Sequence, residues 1–372
     1  MVKKLLGMFL FQNDSVNDYC NNEMLGNVSN ECTDRTLAYF LEKSSVIQLN
    51  NILWKQVYTA IRAKQLNKLR SYDGRFVLSI DGTNLRYSQK RHCEKCLVTV
   101  KDGKTYYHHG MLVASLVDKT TGTSIIAAVQ PIENEAKYEK QDCELKAAKK
   151  LLANIRAKNA HMKYIITVDS LYVSAPFIKQ LKSYGYDVVA AFSKENMNLH
   201  EILDTRCHNW KLELPFETKD ESVKLWFENE DVSMYWDAIS NSNIQVYGIR
   251  RERIDKNTGE VFICYMLTTI RPETLNVEHL SNIQREKWQQ ETRDFKGLKR
   301  QYNLEHIFNH KGCAAVFILA SISINMVSIY LLRHNPRNKF PKLTIKSLLK
   351  LVKKIVRGDP IILLTPDFLG DL

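Results

Sequence analysis

The chain has 372 residues, 44% of them hydrophobic and 25% charged, which is the composition of a folded protein and excludes a disordered or low-complexity chain. A formal net charge of +12 and a pI near 9.1 point to a polyanionic partner, with DNA or RNA ahead of an anionic membrane surface, unless the basic surface serves no partner. Eight cysteines scattered over this length exclude a disulfide scaffold and read as reduced thiols of a cytoplasmic protein.

The opening "MVKKLLGMFLF" has the look of an export signal, but its apolar run is short and no small-residue cleavage site follows, so export is not predicted. Residues 34–69 carry apolar positions at helical spacing, with Asp34 as a candidate cap and a break at Ser44 and Ser45. Residues 1–70 are therefore expected to form a helical N-terminal region, a candidate for binding DNA ends.

The period then changes. "RFVLSID" (75–81), "GMLVASLVD" (110–118) and "SIIAAVQPI" (124–132) read as strands, and 138–158 as an amphipathic helix. "YIITVD" (164–169) is a fourth strand. A helix over 174–185 follows, with Pro176 in its first turn and Gly185 as its stop, and "DVVAAFS" (187–193) is a fifth strand. The order is β-β-β-α-β-α-β. Residues 205–284 break this alternation with segments that suit antiparallel strands, a β-rich insertion. Helices resume at 285 and include the uncharged run 314–332, which has the length of a short membrane span. Ser321, Ser323, Asn325 and Ser328 interrupt that run, so a helix buried inside a domain is the preferred reading. The basic tail 336–372 contains "TIKSLLKLVKKIVR", whose apolar face opposes a lysine face that suits DNA backbone, solvent or a membrane surface.

Two strands finish on a carboxylate, Asp81 before the turn-forming Gly82 and Asp169. A right-handed crossover would make these strands parallel neighbours and bring both acids to one end of the sheet, where open α/β sheets keep their sites. Two adjacent carboxylates repel, and a shared Mg2+ or Mn2+ relieves the conflict. The competing reading for either acid alone is a helix cap. A third acid is expected from a helix near that edge, and "KWQQETRDFKGLK" offers Glu291, with Trp288, Phe295 and Lys299 on its side and Lys287 near them. An ordinary surface helix with a Glu291–Lys287 charge pair fits the same spacing.

"SIDGT", "HCEKC", "YYHHGMLVA", "KQDCE", "TVDSLYVSAPFI" and "WQQETRDFKGLKRQYNLEHIFNH" occur in this order over residues 75–335. In these stretches the chain resembles the DDE transposases of bacterial insertion sequences, in the branch with a β-rich insertion before the last acid. The resemblance implies an α/β catalytic domain, a ribonuclease H-like mixed sheet flanked by helices, split into 71–204 and 285–335 by the insertion. It implies Asp81, Asp169 and Glu291 as the acidic triad and metal ligands. Two divalent metals, phosphoryl transfer at transposon-end inverted repeats and target DNA, and a homodimer in a synaptic complex at the bacterial nucleoid are further implications. The rivals are an inactive DNA-binding relative and a metal-dependent nuclease that joins nothing. Departures from the family's pattern are Lys287 where Arg is common, Gln290 where Ile is common, and Gln284 where a Tyr is expected, with the signature Lys displaced to Lys299. They make Glu286 a second candidate for the third acid.

Lys287, Arg293, Lys296, Lys299, Arg300 and, after the fifth strand, Lys194 are the expected phosphate contacts. Trp288 suits either stacking on a base or core packing. Cys93 and Cys96 have metal-ligand spacing and His109 follows, with His92 or His108 as candidate fourth ligand of a zinc ion; thiols on a plain loop are the alternative.

Overall fold

The computed structural model describes residues 2–10, 33–71, 73–133, 140–192, 198–217, 220–228, 234–237, 242–305, 309–334 and 344–356. Lys194 and the tail beyond 356 lie outside the described residues. Within them, one ten-stranded mixed sheet forms the centre.

The strands are β1 (Phe76–Ser88), β2 (Leu97–Lys101), β3 (Lys104–Asp118), β4 (Thr123–Ile132), β5 (Tyr164–Asp169), β6 (Asp187–Phe192), β7 (Lys211–Glu217), β8 (Glu221–Phe227), the small separate pair β9 (Met234–Asp237) and β10 (Ser242–Gln245), β11 (Tyr247–Asp255) and β12 (Val261–Thr268). The order across the sheet is β2-β3-β1-β5-β6-β12-β11-β8-β7, and β4 pairs with β3. Strands β1, β3 and β4 are antiparallel; β5 and β6 join β1 in parallel. This is the ribonuclease H-like core expected from the sequence. Apart from the β9–β10 pair, the strands of the 205–284 region do not stand apart: β12 pairs with β6, and β11, β8 and β7 continue the same sheet.

The end of β1 and the start of β3, at Lys104 rather than 110, differ from expectation. β1 does not stop at Asp81; it runs through Gly82 to Ser88, with Gly82 opposite Leu112. Gly82 is a ladder residue rather than a turn. The short strand β2 was not anticipated. It pairs with the start of β3 through a turn in which Asp102 and Gly103 adopt φ of 51° and 69°.

The sheet is covered on both faces. Side chains alternate, so Leu112, Ala114 and Leu116 of β3 lie in the core that α4 (Lys140–Lys158) and, further across the sheet, α5 (Ala175–Ser183) cover, while Met111 and Val113 face the other way. That second face packs on α3 (Val46–Arg62) and α9 (Cys313–His334). Helix α7 (Val277–Gln289) lays Val277, Leu280 and Ile283 on Val77, Val117, Ile165 and Val189. Helix α6 (Asn198–Arg206) precedes the added strands, and α8 (Lys296–Gln301) follows α7 after a π-helical turn, Gln290–Phe295.

The N-terminal helices are α1 (Val2–Leu10), α2 (Asp34–Lys43) and α3. Thr33, not Asp34, caps α2 by accepting the Thr36 N–H at 3.2 Å; Ser44 and Ser45 mark the break before α3. These helices pack onto the core. Asn50 of α3 donates to Val129 O at 2.7 Å and accepts from Val129 N at 2.9 Å, sealing part of the exposed edge of β4.

Asn325 of α9 does the same at Ile126, accepting its N–H at 2.9 Å and donating to its carbonyl at 2.7 Å. Ser321 and Ser323 donate to Phe317 O and Leu319 O of their own helix. Ser321, Ser323 and Asn325, the buried polar residues of this apolar helix, are thus satisfied against protein. By length and composition α9 could cross a membrane, but 78% of its most apolar window is buried inside the protein. Helix α10 (Ile345–Val356) sets Ile345 and Leu349 into the same core and leaves Lys346 and Lys350 exposed.

Candidate active site

Strand alternation decides which way each acid points. On β1, Val77 packs on α7, Ser79 bonds Gln290, and Asp81 is next on that face. On β5 the corresponding series is Ile165, Thr167 and Asp169. The parallel register pairs Val77 with Ile165 and Ser79 with Thr167, so the two aspartates stand level, two residues further along each strand. Their carboxylates meet at one cation. Lys287 of α7 places Nζ 3.4 Å from Asp81 Oδ2 and in direct contact with Asp169 Oδ2. The Lys287 side chain is 12% exposed, that of Asp81 22% and that of Asp169 54%, so the site is sheltered behind and open in front. Burial pushes Asp81 up to about 6; Lys287 opposes this and Asp169 adds to it. The Gly82 N–H donates to Asp81 Oδ1 at 2.9 Å and leaves Oδ2 to the shared cation.

One residue on, Gly82 faces the opposite side of the sheet. A Cβ there would sit 2.6 Å from Glu144 Oε1 of α4, so the missing side chain admits that carboxylate. Tyr172, just after Asp169, donates to Glu144 at 2.7 Å. Burial pushes the Tyr172 hydroxyl up, followed by Glu144, Asp81 and Asp169, which places this phenol among three carboxylates. Sequence reasoning missed Glu144 and Tyr172 as neighbours of the site, although "KQDCE" and "TVDSLYVSAPFI" contain them.

The third acid is placed differently. The stripe of α7 that faces the sheet continues Leu280, Ile283, Lys287, and the π-helical turn then turns Gln290 and Asp294 inward. Gln290 accepts from Ser79 Oγ at 2.6 Å and donates to Val113 O at 2.9 Å. Asp294 accepts from Ser115 and Ser124, each at 2.6 Å. Burial pushes Asp294 up to about 7 against the pull of those hydroxyls. Glu291 is exposed, 4.0 Å from Lys296, and the structure does not bring it to the aspartate pair. Glu286 is buried against Asp118 and Lys119 at the β3–β4 turn; burial first, then Asp118, pushes it up to about 8. It faces away from the shared cation.

Phe295 is buried and Trp288 is 72% exposed, so the expected common side with Glu291 does not exist and core packing is not the role of Trp288. The wider π-helical turn, whose extra residue per turn shifts the helix face, is the reason. Lys296, Lys299 and Arg300 lie beyond it, the first and last exposed and Lys299 half-buried. Arg293 turns toward Gly122 of the β3–β4 turn, its Nη2 lying 3.4 Å from where a Cβ would stand.

A second cluster lies at the far end of β1. Cys93, Cys96 and His109 converge as expected, but the fourth member is His310, ahead of α9. His92 instead stacks on Tyr107 and His108 packs on Tyr87, each with ring centroids 4.6 Å apart.

A sequence model described as "Transposase DDE domain" matches residues 73–323. The chain belongs to the DDE transposases. Among curated proteins no match is found. A DDE transposase cuts DNA by nucleotidyl transfer and acts on transposon ends, and members of the family generally use divalent metal. The aspartate pair suits such an ion by its chemistry: hard oxygen donors, level on adjacent strands, that already gather one positive charge.

Proposed function

We propose that this transposase cuts at the inverted-repeat ends of its element and joins the freed 3′-hydroxyl to target DNA, using two Mg2+ or Mn2+ ions. The observation that carries this reading is the convergence of Asp81 and Asp169 on a single cation at the open edge of the sheet. Asp81, fixed by the Gly82 N–H, would hold the metal together with Asp169. Glu291, exposed in the π-helical turn that follows α7 and not brought to the pair, is kept as the third acid on the family resemblance alone. The chemistry supplied by metal bound there is Lewis-acid stabilisation of the attacking and leaving oxygens.

Lys287 has a second part. It neutralises the aspartate pair, and its ammonium would be the cation nearest a DNA phosphate held at that pair. Trp288 offers an exposed ring to an unpaired base, and Lys296, Lys299 and Arg300 carry the backbone past Glu291. Water attack at the transposon end leaves a 3′-hydroxyl, which then attacks target DNA. Residues 71–204 and 285–335 form the catalytic body in this reading, 205–284 the insertion, and a homodimer holds two ends in a synaptic complex in the bacterial cytoplasm.

The test is cutting and joining of labelled inverted-repeat DNA with Mg2+. Asp81→Asn and Asp169→Asn are each expected to lose roughly a thousandfold, about 4 kcal/mol of transition-state stabilisation. Cut DNA with no joined product identifies a nuclease, and cutting that survives both substitutions refutes the assignment.

A further inference from the structure

From the second cluster we infer a structural zinc site, held by Cys93, Cys96, His109 and His310, which pins the end of β1 to the start of α9. It is independent of the acidic site and of the reaction proposed there.

The four ligand atoms lie within 4.8 Å of one another. Cys93 Sγ and Cys96 Sγ are 3.8 Å apart. His109 Nε2 is 3.7 Å from the first sulfur and 3.6 Å from the second, and His310 Nε2 is 3.4 Å from Cys96 Sγ. A tetrahedral ion with Zn–S near 2.3 Å and Zn–N near 2.05 Å requires edges of about 3.8 Å between sulfurs and about 3.6 Å between sulfur and nitrogen. The four edges given above lie within about 0.2 Å of these values, and the remaining two are no longer than 4.8 Å. Two soft thiolates and two imidazoles select zinc over magnesium or calcium, and four protein ligands leave no open position, the mark of a structural rather than a catalytic site.

The surroundings complete the case. Cys93 and Cys96 sit in a tight turn in which the Cys96 N–H bonds Cys93 O at 3.1 Å. The Cys93 N–H points to Cys96 Sγ at 3.3 Å, an arrangement that supports thiolate. His109 is in β3, next to the residue that pairs with Leu97. His310 comes from 214 positions beyond Cys96. The ion would therefore join the β1–β2 turn and β3 to the segment before α9, which lies some two hundred residues further along the chain. It would also fix Lys90 and Arg91 opposite Lys311, across a cleft of about 420 Å3.

The experiment uses the full chain, purified without a metal-binding tag and under reducing conditions. Elemental analysis is expected to give one zinc per chain. Exchange for Co2+ should give the intense visible bands and sulfur-to-metal charge transfer of a tetrahedral thiolate site. Cys96→Ser and His310→Ala should both lose the ion to a competing chelator that leaves the native protein loaded. His310→Cys is the control for folding, since it should keep one zinc and shift the Co2+ spectrum toward three thiolates. Asp81→Asn should lose DNA cutting and keep its zinc, so a failure at one site is told apart from a failure at the other. Absence of zinc in the native protein, a Cys93–Cys96 disulfide found after thiol blocking, or undiminished zinc in both Cys96→Ser and His310→Ala would each overturn the inference.

Discussion

The two clusters along and just beyond β1 make an instructive pair. Asp81, in the middle of the strand, shares a cation with Asp169 in a site whose outer carboxylate is more than half exposed. Cys93 and Cys96, past the end of the same strand, meet two imidazoles in a closed set with no vacant position. Hard oxygens at an open edge suit an ion that must meet phosphate; sulfur and nitrogen on all four sides suit one that only holds chain together. One centre is thus built on β1 and the other on the turn that follows it, and they differ most in donor chemistry and access.

The sharpest way to break the comparison is to exchange the losses. Asp81→Asn should remove cutting while the melting temperature changes little, whereas Cys96→Ser should lower the melting temperature by several degrees, and both are read by a cleavage assay beside calorimetry. A variant that lost both properties at once would merge the two sites into one.

Next in size is the inward side of the π-helical turn. Asp294→Ala leaves Ser115 and Ser124 without their shared acceptor in the core and should cost about 2–4 kcal/mol in urea unfolding. The same carboxylate gives a pH signature. Its pKa is raised in the folded protein, so between the ordinary carboxylate value and about 7 the native state holds a proton that the unfolded chain has released. Stability should therefore fall as pH rises across that window, and Glu286, pushed up to about 8, extends the fall. A combined Asp294→Asn and Glu286→Gln variant should flatten the profile, as measured by unfolding at a series of pH values.

Lys287→Met tests the open site from the other direction. Without metal the aspartate pair loses its counter-charge, and the melting temperature should drop by a few degrees. Mn2+ should restore more in this variant than in the native protein, because the ion no longer competes with an ammonium. Smallest is Trp288→Ala. Its ring is exposed, so stability should change by less than about 0.5 kcal/mol, while affinity for single-stranded or distorted DNA ends falls in a fluorescence titration.

Much of this was legible because it rests on local pattern. The apolar runs before Asp81 and Asp169, separated by an amphipathic helix, specify parallel neighbours once handed crossovers are assumed, and β1 and β5 are parallel neighbours in register. The break at Ser44 and Ser45, and the Pro176 and Gly185 ends of α5, were likewise written in capping chemistry. Gly82 misled because glycine signals turns; here it serves close approach of Glu144. Gln290 hid its role, since a polar residue beside Glu291 gives no hint that it will bond two strands more than 170 positions away.

The sequence by itself determined the order of elements, the two strand-borne aspartates and the family, because strand alternation, crossover hand and short motifs act over tens of residues. Only the tertiary structure decided that Lys287 bridges the pair, that Trp288 faces out and Asp294 in, and that His310 rather than His92 or His108 closes the sulfur cluster. Those outcomes depend on a helix crossing the sheet with a π-helical turn and on contacts between segments some two hundred residues apart, and no local preference encodes where such segments meet.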